Sequence, residues 1–273
     1  MRVAYLGPQG TFSDEATRHC DLVRSAAHCP CNTLADAYER VLRGDADAAL
    51  LPIENSIEGA VGTTLDLLVH KPGLVIRREL LLPIEQHLLG RAGTELDAAV
   101  RVLSHPQALG QCSVFLHTRL PCVPLEATHS TADAARRAAE EASGTLAIGS
   151  RAAAERFGLA VLVPCIHDAD ENTTRFVLVA KDDERPTGRD RTSIAFTLDR
   201  DRPGGLHDVL GEFARLGINL CKIESRPTKR ALGHYVFFID FEGHRLDPAC
   251  AAALEAVRSR AHELLVLGSY PRV

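Results

Sequence analysis

Apolar positions along this chain fall into two kinds of run that take turns. Short continuous stretches, Val3-Ala4-Tyr5-Leu6, Ala48 to Ile53 and Val100 to Leu103, have the length and content of buried strands, and each runs straight into a polar loop. Other segments place apolar residues at helical spacing. Leu34 to Leu42 does so and ends at Gly44, a natural C-terminal cap, while Ala132 to Ser143 is alanine-rich with Arg136, Arg137, Glu140 and Glu141 on its solvated side. Strand, polar loop, helix is therefore the repeating unit. In a parallel α/β sheet such loops gather at the carboxyl edge of the strands, where ligands bind.

The first of these loops, Gly7-Pro8-Gln9-Gly10, leads through Thr11-Phe12-Ser13 into a helix opening with Asp14-Glu15. Ser13 is the expected N-cap, and free backbone N–H groups at such a terminus can receive an anion. The spacing matches neither a dinucleotide fingerprint nor a phosphate-binding P-loop. In the second loop, Glu54-Asn55-Ser56, Asn55 and Ser56 offer uncharged donors; with Thr63-Thr64 just beyond, they suit a carboxylate or keto acid.

Strands over 74–84 and 85–90 read as a crossing to a second lobe, and Cys165 to Asp168 as the way back to Asn172-Thr173-Thr174-Arg175-Phe176. The expected plan is a two-lobed α/β domain over 1–182, with lobe one at 1–78 and 164–182 and lobe two at 79–163. A cleft between lobes is a common ligand site. Residues 181–191 carry eight charges with one proline and one glycine, and 183–191 is read as a linker. Beyond it, over 192–273, comes a strand at Thr192–Leu198, a turn at Asp201 to Gly205, a helix, a strand at Ile218–Glu224 and a turn at Ser225-Arg226-Pro227. A strand, a helix and a strand then follow, giving the βαββαβ order of a ferredoxin-like domain.

Length and charge narrow the function. At 273 residues, two domains are the natural expectation, and 31 basic against 36 acidic side chains give −5, which argues against nucleic acid or an anionic membrane as partner. The N-terminus has no long apolar core of a signal peptide, and no run reaches the ~18 apolar residues of a spanning helix. A cytoplasmic protein with its eight cysteines reduced is expected. His19-Cys20 and His28-Cys29-Pro30-Cys31 match no usual zinc spacing, with Pro30 stiffening what reads as a short loop, so no metal is expected.

On residues alone, Asn172 to Phe176 could be a ligand site or a capped strand start with a surface arginine. Four segments taken together resemble the prephenate dehydratase family: Tyr5 to Ser13, Leu51 to Ser56, Ser104-His105-Pro106-Gln107 with Gln111, and Asn172 to Phe176. Pro203-Gly204-Gly205-Leu206-His207-Asp208 and Ile223-Glu224-Ser225-Arg226-Pro227 resemble that family's ACT regulatory domain, with Gly205 standing where alanine is usual. The resemblance runs along nearly the whole chain in family order. It implies a periplasmic-binding-protein-like catalytic domain of stand-alone form, followed by an ACT domain. The implied reaction is loss of CO₂ and water from prephenate to give phenylpyruvate, driven by aromatisation and needing no cofactor. It further implies Thr174 as donor to the leaving hydroxyl, and Asn55, Ser104 and Gln111 as partners of the substrate's oxygens. Thr11, Ser56 and Thr173 are candidate substrate contacts. Arg175 has two readings, a substrate carboxylate or a bridge to Asp168 or Glu171; Glu54 and Glu58 are read as structural, His105 as a turn residue and Phe176 as core. An effector, L-phenylalanine, is implied at an ACT dimer interface near Gly204, Gly205, Leu206, His207, Asn219, Leu220, Glu224, Ser225, Arg226 and Pro227, in a homodimer or homotetramer. The competing expectations are an arogenate dehydratase and a non-catalytic small-molecule sensor.

Overall fold

The computed structural model describes residues 1–198, 203–229 and 234–273, so the expected turn residues Asp201 and Arg202 lie outside the described residues. The first lobe runs through β1 (Arg2–Leu6), α1 (Phe12–His19), β2 (Ala27–Cys31), α2 (Leu34–Arg43), β3 (Ala48–Asn55), the short β4 (Gly59–Ala60), α3 (Gly62–His70) and β5 (Val75–Pro83). The second lobe follows with β6 (His87–Gly90), β7 (Arg101–Ser104), α4 (Pro106–Gln111), α5 (Ser113–Arg119), β8 (Leu125–Ala127), α6 (Thr131–Glu140), β9 (Thr145–Gly149), α7 (Arg151–Phe157) and β10 (Ala160–Val163). The chain then returns to the first lobe as β11 (Thr173–Ala180).

The first sheet has the order β2-β1-β3-β11-β5, with β4 on β3. Strands β2, β1 and β3 are parallel, but β11 runs antiparallel to both neighbours, so the expected parallel sheet is in fact mixed. The reversal matters for the site. An antiparallel strand begins where its neighbours end, and the start of β11 therefore lies at the carboxyl edge, with Thr174 opposite Asn55 and Arg175 opposite Glu54. The second sheet, β10-β6-β9-β7-β8, repeats the device: β6 is antiparallel to β9, and its first residue His87 faces Gly149 at the end of β9. The two lobes are joined at these reversed strands, at 84–87 and 164–172.

Side chains alternate along β11. Phe176 and Leu178 join Val3, Ala16 and Leu50 in the core under α1, on the face that also carries Thr174. Val177 and Val179 enter a second core with Tyr38, Leu51 and Ile76, on the face that carries Arg175.

The C-terminal part is β12 (Asp190–Thr197), α8 (Gly205–Arg215), β13 (Leu220–Pro227), β14 (Tyr235–Glu242), α9 (Pro248–Arg258) and β15 (Glu263–Pro271), in an antiparallel sheet of order β13-β14-β12-β15. This is the ferredoxin-like topology. Ile194, Phe196, Ile239 and Phe241 pack under the two helices with Val209, Phe213 and Leu254. The opposite face, with Ala195, Val236, Phe238, Leu267 and Tyr270, packs into the same core as Val177 and Val179 of the first lobe. Glu184, in the expected linker, is tied back to Arg77 of β5 at 2.5 Å.

Local readings shift at three places. His28 to Cys31 is not a loop but strand β2, and Pro30 is accommodated because β2 is the sheet's edge. The N-cap of α1 is Thr11 rather than Ser13, its hydroxyl accepting from the Asp14 N–H at 3.3 Å. Ser225-Arg226-Pro227 is no turn, because β13 continues to Pro227.

Candidate active site

The carboxyl edges of the two sheets face each other across a cavity of about 1070 Å³. Its first-lobe wall includes Thr11, Asn55 and Thr174, and its second-lobe wall Gln107, Gln111 and Thr131. At the centre, Asn55 works as a fixed bracket. Its Oδ1 accepts from the backbone N–H groups of Ile57 and Glu58, both at 3.0 Å, which settles which end of the amide is which. Its Nδ2 therefore donates to Asn172 Oδ1 at 2.7 Å and to Thr174 Oγ1 at 2.9 Å. Because the Thr174 oxygen accepts from Asn55, its own proton is left to donate elsewhere, and the hydroxyl lines the cavity.

A second chain of amides crosses between lobes. Asn172 Nδ2 donates to Gln111 Oε1 at 3.2 Å, Gln111 Nε2 reaches Glu58 Oε1 at 3.4 Å, and the Gln111 carbonyl accepts from the Asp168 N–H at 2.7 Å. Gln111 is thus a clasp from the second lobe to the first. Helix starts also converge here. Phe12 and Ser13 open α1, Ser130 caps α6 with its hydroxyl on the Asp133 N–H, and His105 caps α4 with its ring Nδ1 on the Gln107 N–H; all line the cavity. Helix starts carry partial positive charge and unpaired N–H groups, and Arg156 also lines the cavity, so an anion is favoured there. Arg136 is also present, but its guanidinium is held by Asp133 at 2.7 Å and Glu140 at 2.6 Å.

Thr174, Asn55, Gln111 and Thr11 all line the cavity, although Thr11 spends its hydroxyl on the Pro8 carbonyl at 2.9 Å and the Asp14 N–H; four other expected contacts do not line it. Ser104 is fully buried and spends its hydroxyl on the Ile148 carbonyl at 2.8 Å, tying β7 to β9. Ser56 accepts from the Thr173 N–H at 2.9 Å and donates to the Glu171 carbonyl, outside the cavity. Thr173 and Arg175 lie on the other face of β11, as strand alternation requires once Thr174 faces the cavity. Arg175 bridges to neither Asp168 nor Glu171. Its Nη2 meets Asp240 of β14 at 2.6 Å, with Glu79 at 3.6 Å and Glu54 at 3.7 Å. Burial disfavours its charge, but Asp240, Tyr270 and Glu79 outweigh burial and raise its pKa further.

Cavity residues with no role expected from the sequence include Gln86, His129 and Thr131, and the cavity also takes in Glu58, read from the sequence as structural, and Asn172. Asn172 stood inside the motif and could have been found there; Gln86, buried with its Oε1 unpaired, sits at the lobe crossing and carries no motif signal. Among the described residues no disulfide forms, and burial raises the thiol pKa of Cys20, Cys31 and Cys250 and takes Cys112 up to about 12. In the expected cysteine segment, His28 Nε2 sits on the Val23 carbonyl at 3.1 Å.

In the C-terminal sheet, Gly204 is left-handed (φ 81°) and caps α8, whose first residue Gly205 is buried and whose Leu206 leans on the helix-side core. His207 is exposed beside Asp208 at 3.5 Å, and the Asn219 carbonyl accepts from the Glu242 N–H. Along β13, Leu220 and Glu224 alternate with the exposed Ser225 and Pro227. Arg226 is turned onto Asp66 of α3 at 3.4 Å, so its guanidinium faces the first lobe rather than an effector.

The model of the prephenate dehydratase family matches residues 3–184, and that of the ACT domain residues 192–259. The chain belongs to the prephenate dehydratase family. A bifunctional chorismate mutase/prephenate dehydratase of Neisseria gonorrhoeae is 41% identical over 99% of this chain and 74% of its own length. A crystal structure of prephenate dehydratase from Arthrobacter aurescens, in complex with L-Phe, is 39% identical over all of this chain and 90% of its own, with a TM-score of 0.92. A quorum-quenching acylase shares the fold at a TM-score of 0.89 and 31% identity, over all of this chain and 98% of its own. As a prephenate dehydratase, the protein is a lyase that removes water and carbon dioxide from prephenate on the route to phenylalanine, and its ACT domain makes it an allosterically regulated one. Among the described residues no helix is long and apolar enough to cross a membrane.

Proposed function

We propose that prephenate binds in the inter-lobe cavity and that Thr174 donates to its departing ring hydroxyl. The observation carrying this is the Asn55–Thr174 hydrogen bond of 2.9 Å, which occupies the threonine oxygen and directs its proton away from the protein. Loss of the hydroxyl and loss of CO₂ are coupled by aromatisation, so the protein's tasks are to hold a dianion and to stabilise charge on the leaving oxygen. The starts of α1 and α6 receive the two carboxylates, and Gln111 and Asn172 hold the ring between the lobes. A threonine hydroxyl is too weak an acid to yield a free proton, and Thr174 acts as a hydrogen-bond donor or relay.

The ACT domain is proposed to bind L-phenylalanine beside Gly204, Gly205 and β13, in a cytoplasmic homo-oligomer. The Arthrobacter relative, crystallised with L-Phe, supports this effector. The left-handed Gly204 and the open start of α8 suit an amino acid's carboxylate. The test is phenylpyruvate formation from prephenate with phenylalanine titrated in, with arogenate and an acyl-amide substrate as controls. Prephenate should have the highest specificity constant, and phenylalanine should change it. A higher constant for arogenate would move the assignment to the amino-acid analogue, and acyl-amide cleavage without dehydration would sink it.

A further inference from the structure

Thr174 and Arg175 are consecutive on β11, so one faces the cavity and the other the ACT sheet. The same holds on the paired strand, where Asn55 faces the cavity and its neighbour Glu54 lies opposite Arg175. The catalytic pair Asn55–Thr174 is therefore backed, one residue away, by the pair Glu54–Arg175. Both members of that backing pair are gripped by the ACT domain. Asp240 of β14 accepts from Arg175 at 2.6 Å, and Lys222 of β13 is ion-paired with Glu54 at 3.1 Å without a hydrogen bond. Glu79 of β5 completes the set, meeting Arg191 of β12 at 2.6 Å and Arg175 at 3.6 Å. Three cations, Arg175, Arg191 and Lys222, thus balance three carboxylates, Glu54, Glu79 and Asp240.

The group is built rather than incidental. Arg175, Glu79 and Asp240 are each more than nine-tenths buried. Asp240 is held from behind by the Ser193 hydroxyl at 2.6 Å, itself bonded to Tyr270 at 2.6 Å. Fully buried charges tolerate little change of position, because moving one partner leaves the other desolvated and unpaired. The pairing of β3 and β11 also shifts register between Arg175 and Phe176, at the step where this grip is applied.

We propose that Arg175 is a positioning residue: through Asp240, the ACT domain sets where β11 holds the Thr174 hydroxyl relative to Asn55. The ACT sheet is then part of the active site's support, and β13, which carries both Lys222 and the Glu224-Ser225 segment, is the strand through which an effector would reach it. The effector clause rests on the phenylalanine reading above, while the positioning claim does not.

The test is steady-state kinetics on the full-length wild type, Asp240→Asn, Arg175→Lys, Asn55→Ala and the Asp240→Asn/Asn55→Ala double variant, with phenylalanine binding measured separately by calorimetry. Asp240→Asn should lower kcat about ten-fold with KM within about two-fold, as expected when an interaction made only in the transition state is weakened. In the Asn55→Ala background the same change should cost less than about three-fold, since the geometry it protects is already lost. Arg175→Lys, which keeps the charge but not the fork, should fall between. Phenylalanine should still bind Asp240→Asn while its effect on turnover shrinks. Unchanged kcat in folded Asp240→Asn, or losses that multiply in the double variant, would overturn the proposal. If Asp240→Asn does not fold, Arg175→Lys in the same cycle decides it by the same criterion. A wild type that turns over prephenate but ignores phenylalanine sinks the effector reading alone.

Discussion

At the Thr174 hydroxyl, the useful fact is direction. With its oxygen engaged by Asn55, one proton remains to donate, and in the function proposed above it goes to the substrate. Thr174→Ala should keep the fold, since the side chain's partner also bonds Asn172, and should lower kcat by about 10²-fold or more, the usual cost of losing one preorganised donor. Steady-state phenylpyruvate release checks it, and wild-type turnover would refute the assignment. A second residue-scale outcome concerns pH. Burial is the largest influence on Glu15 and raises its carboxyl pKa; His19 opposes this, and Glu85, Glu155 and Asp14 add to it. A carboxyl whose folded pKa lies above its unfolded one penalises folding only once it ionises. The penalty is absent in acid, grows as pH rises from about 4, and is complete above the folded value. Glu15→Gln should therefore melt higher than wild type at neutral pH, with the gap closing toward about pH 4. Thermal melts across that range, showing a constant gap, would contradict it.

Among elements, β11 decides most. On residues alone its TTRF segment could be a ligand site or a capped strand start, and the direction of the strand was not legible, because a short buried apolar run reads the same in a parallel or an antiparallel pairing. The antiparallel run brings Thr174 to Asn55, and it also puts Arg175 against a domain more than 60 residues further along, as in its 2.6 Å contact with Asp240. Ser104 failed as a contact for a similar reason, since its motif marks the end of β7, where the hydroxyl is consumed by the next strand. The join between sheets depends on β15. Gly268 (φ 152°) lies so close to β5 that an added Cβ would fall 2.3 Å from the Ile76 carbonyl oxygen and 2.7 Å from its nitrogen. Backbone cannot step aside as a side chain can, so Gly268→Ala should cost about 2–3 kcal/mol, read from the urea midpoint. An unchanged midpoint would show that the two sheets are not in register-locked contact.

On the scale of the whole molecule, catalytic and regulatory parts share a core. Ala195, Phe238 and Tyr270 pack with Ile76 and Val177, and the buried Arg175 and Glu79 meet Asp240 and Arg191 of the ACT sheet. Deleting residues 185–273 should leave an uncovered apolar face and lone charges. The shortened chain is expected to unfold at lower urea than the full chain and to associate, as light scattering would show. A monomer of unchanged stability would mean that the interface contributes nothing.

The sequence by itself determined the two-part plan, the alternating strands and helices, and the motif loops that meet in the cleft, because periodicity, caps and short-range spacing are local properties. It also carried the family resemblance through which Thr174, Asn55 and Gln111 were singled out. Tertiary structure alone decided which face of β11 each residue takes, that Ser104 and Ser56 spend their hydroxyls on the scaffold while Thr173 faces away from the cavity, and that Arg175 answers to Asp240. The physical reason is partnership at long range. Alternation says only that Thr174 and Arg175 point opposite ways; what waits on each side depends on strands that fold back from elsewhere in the chain.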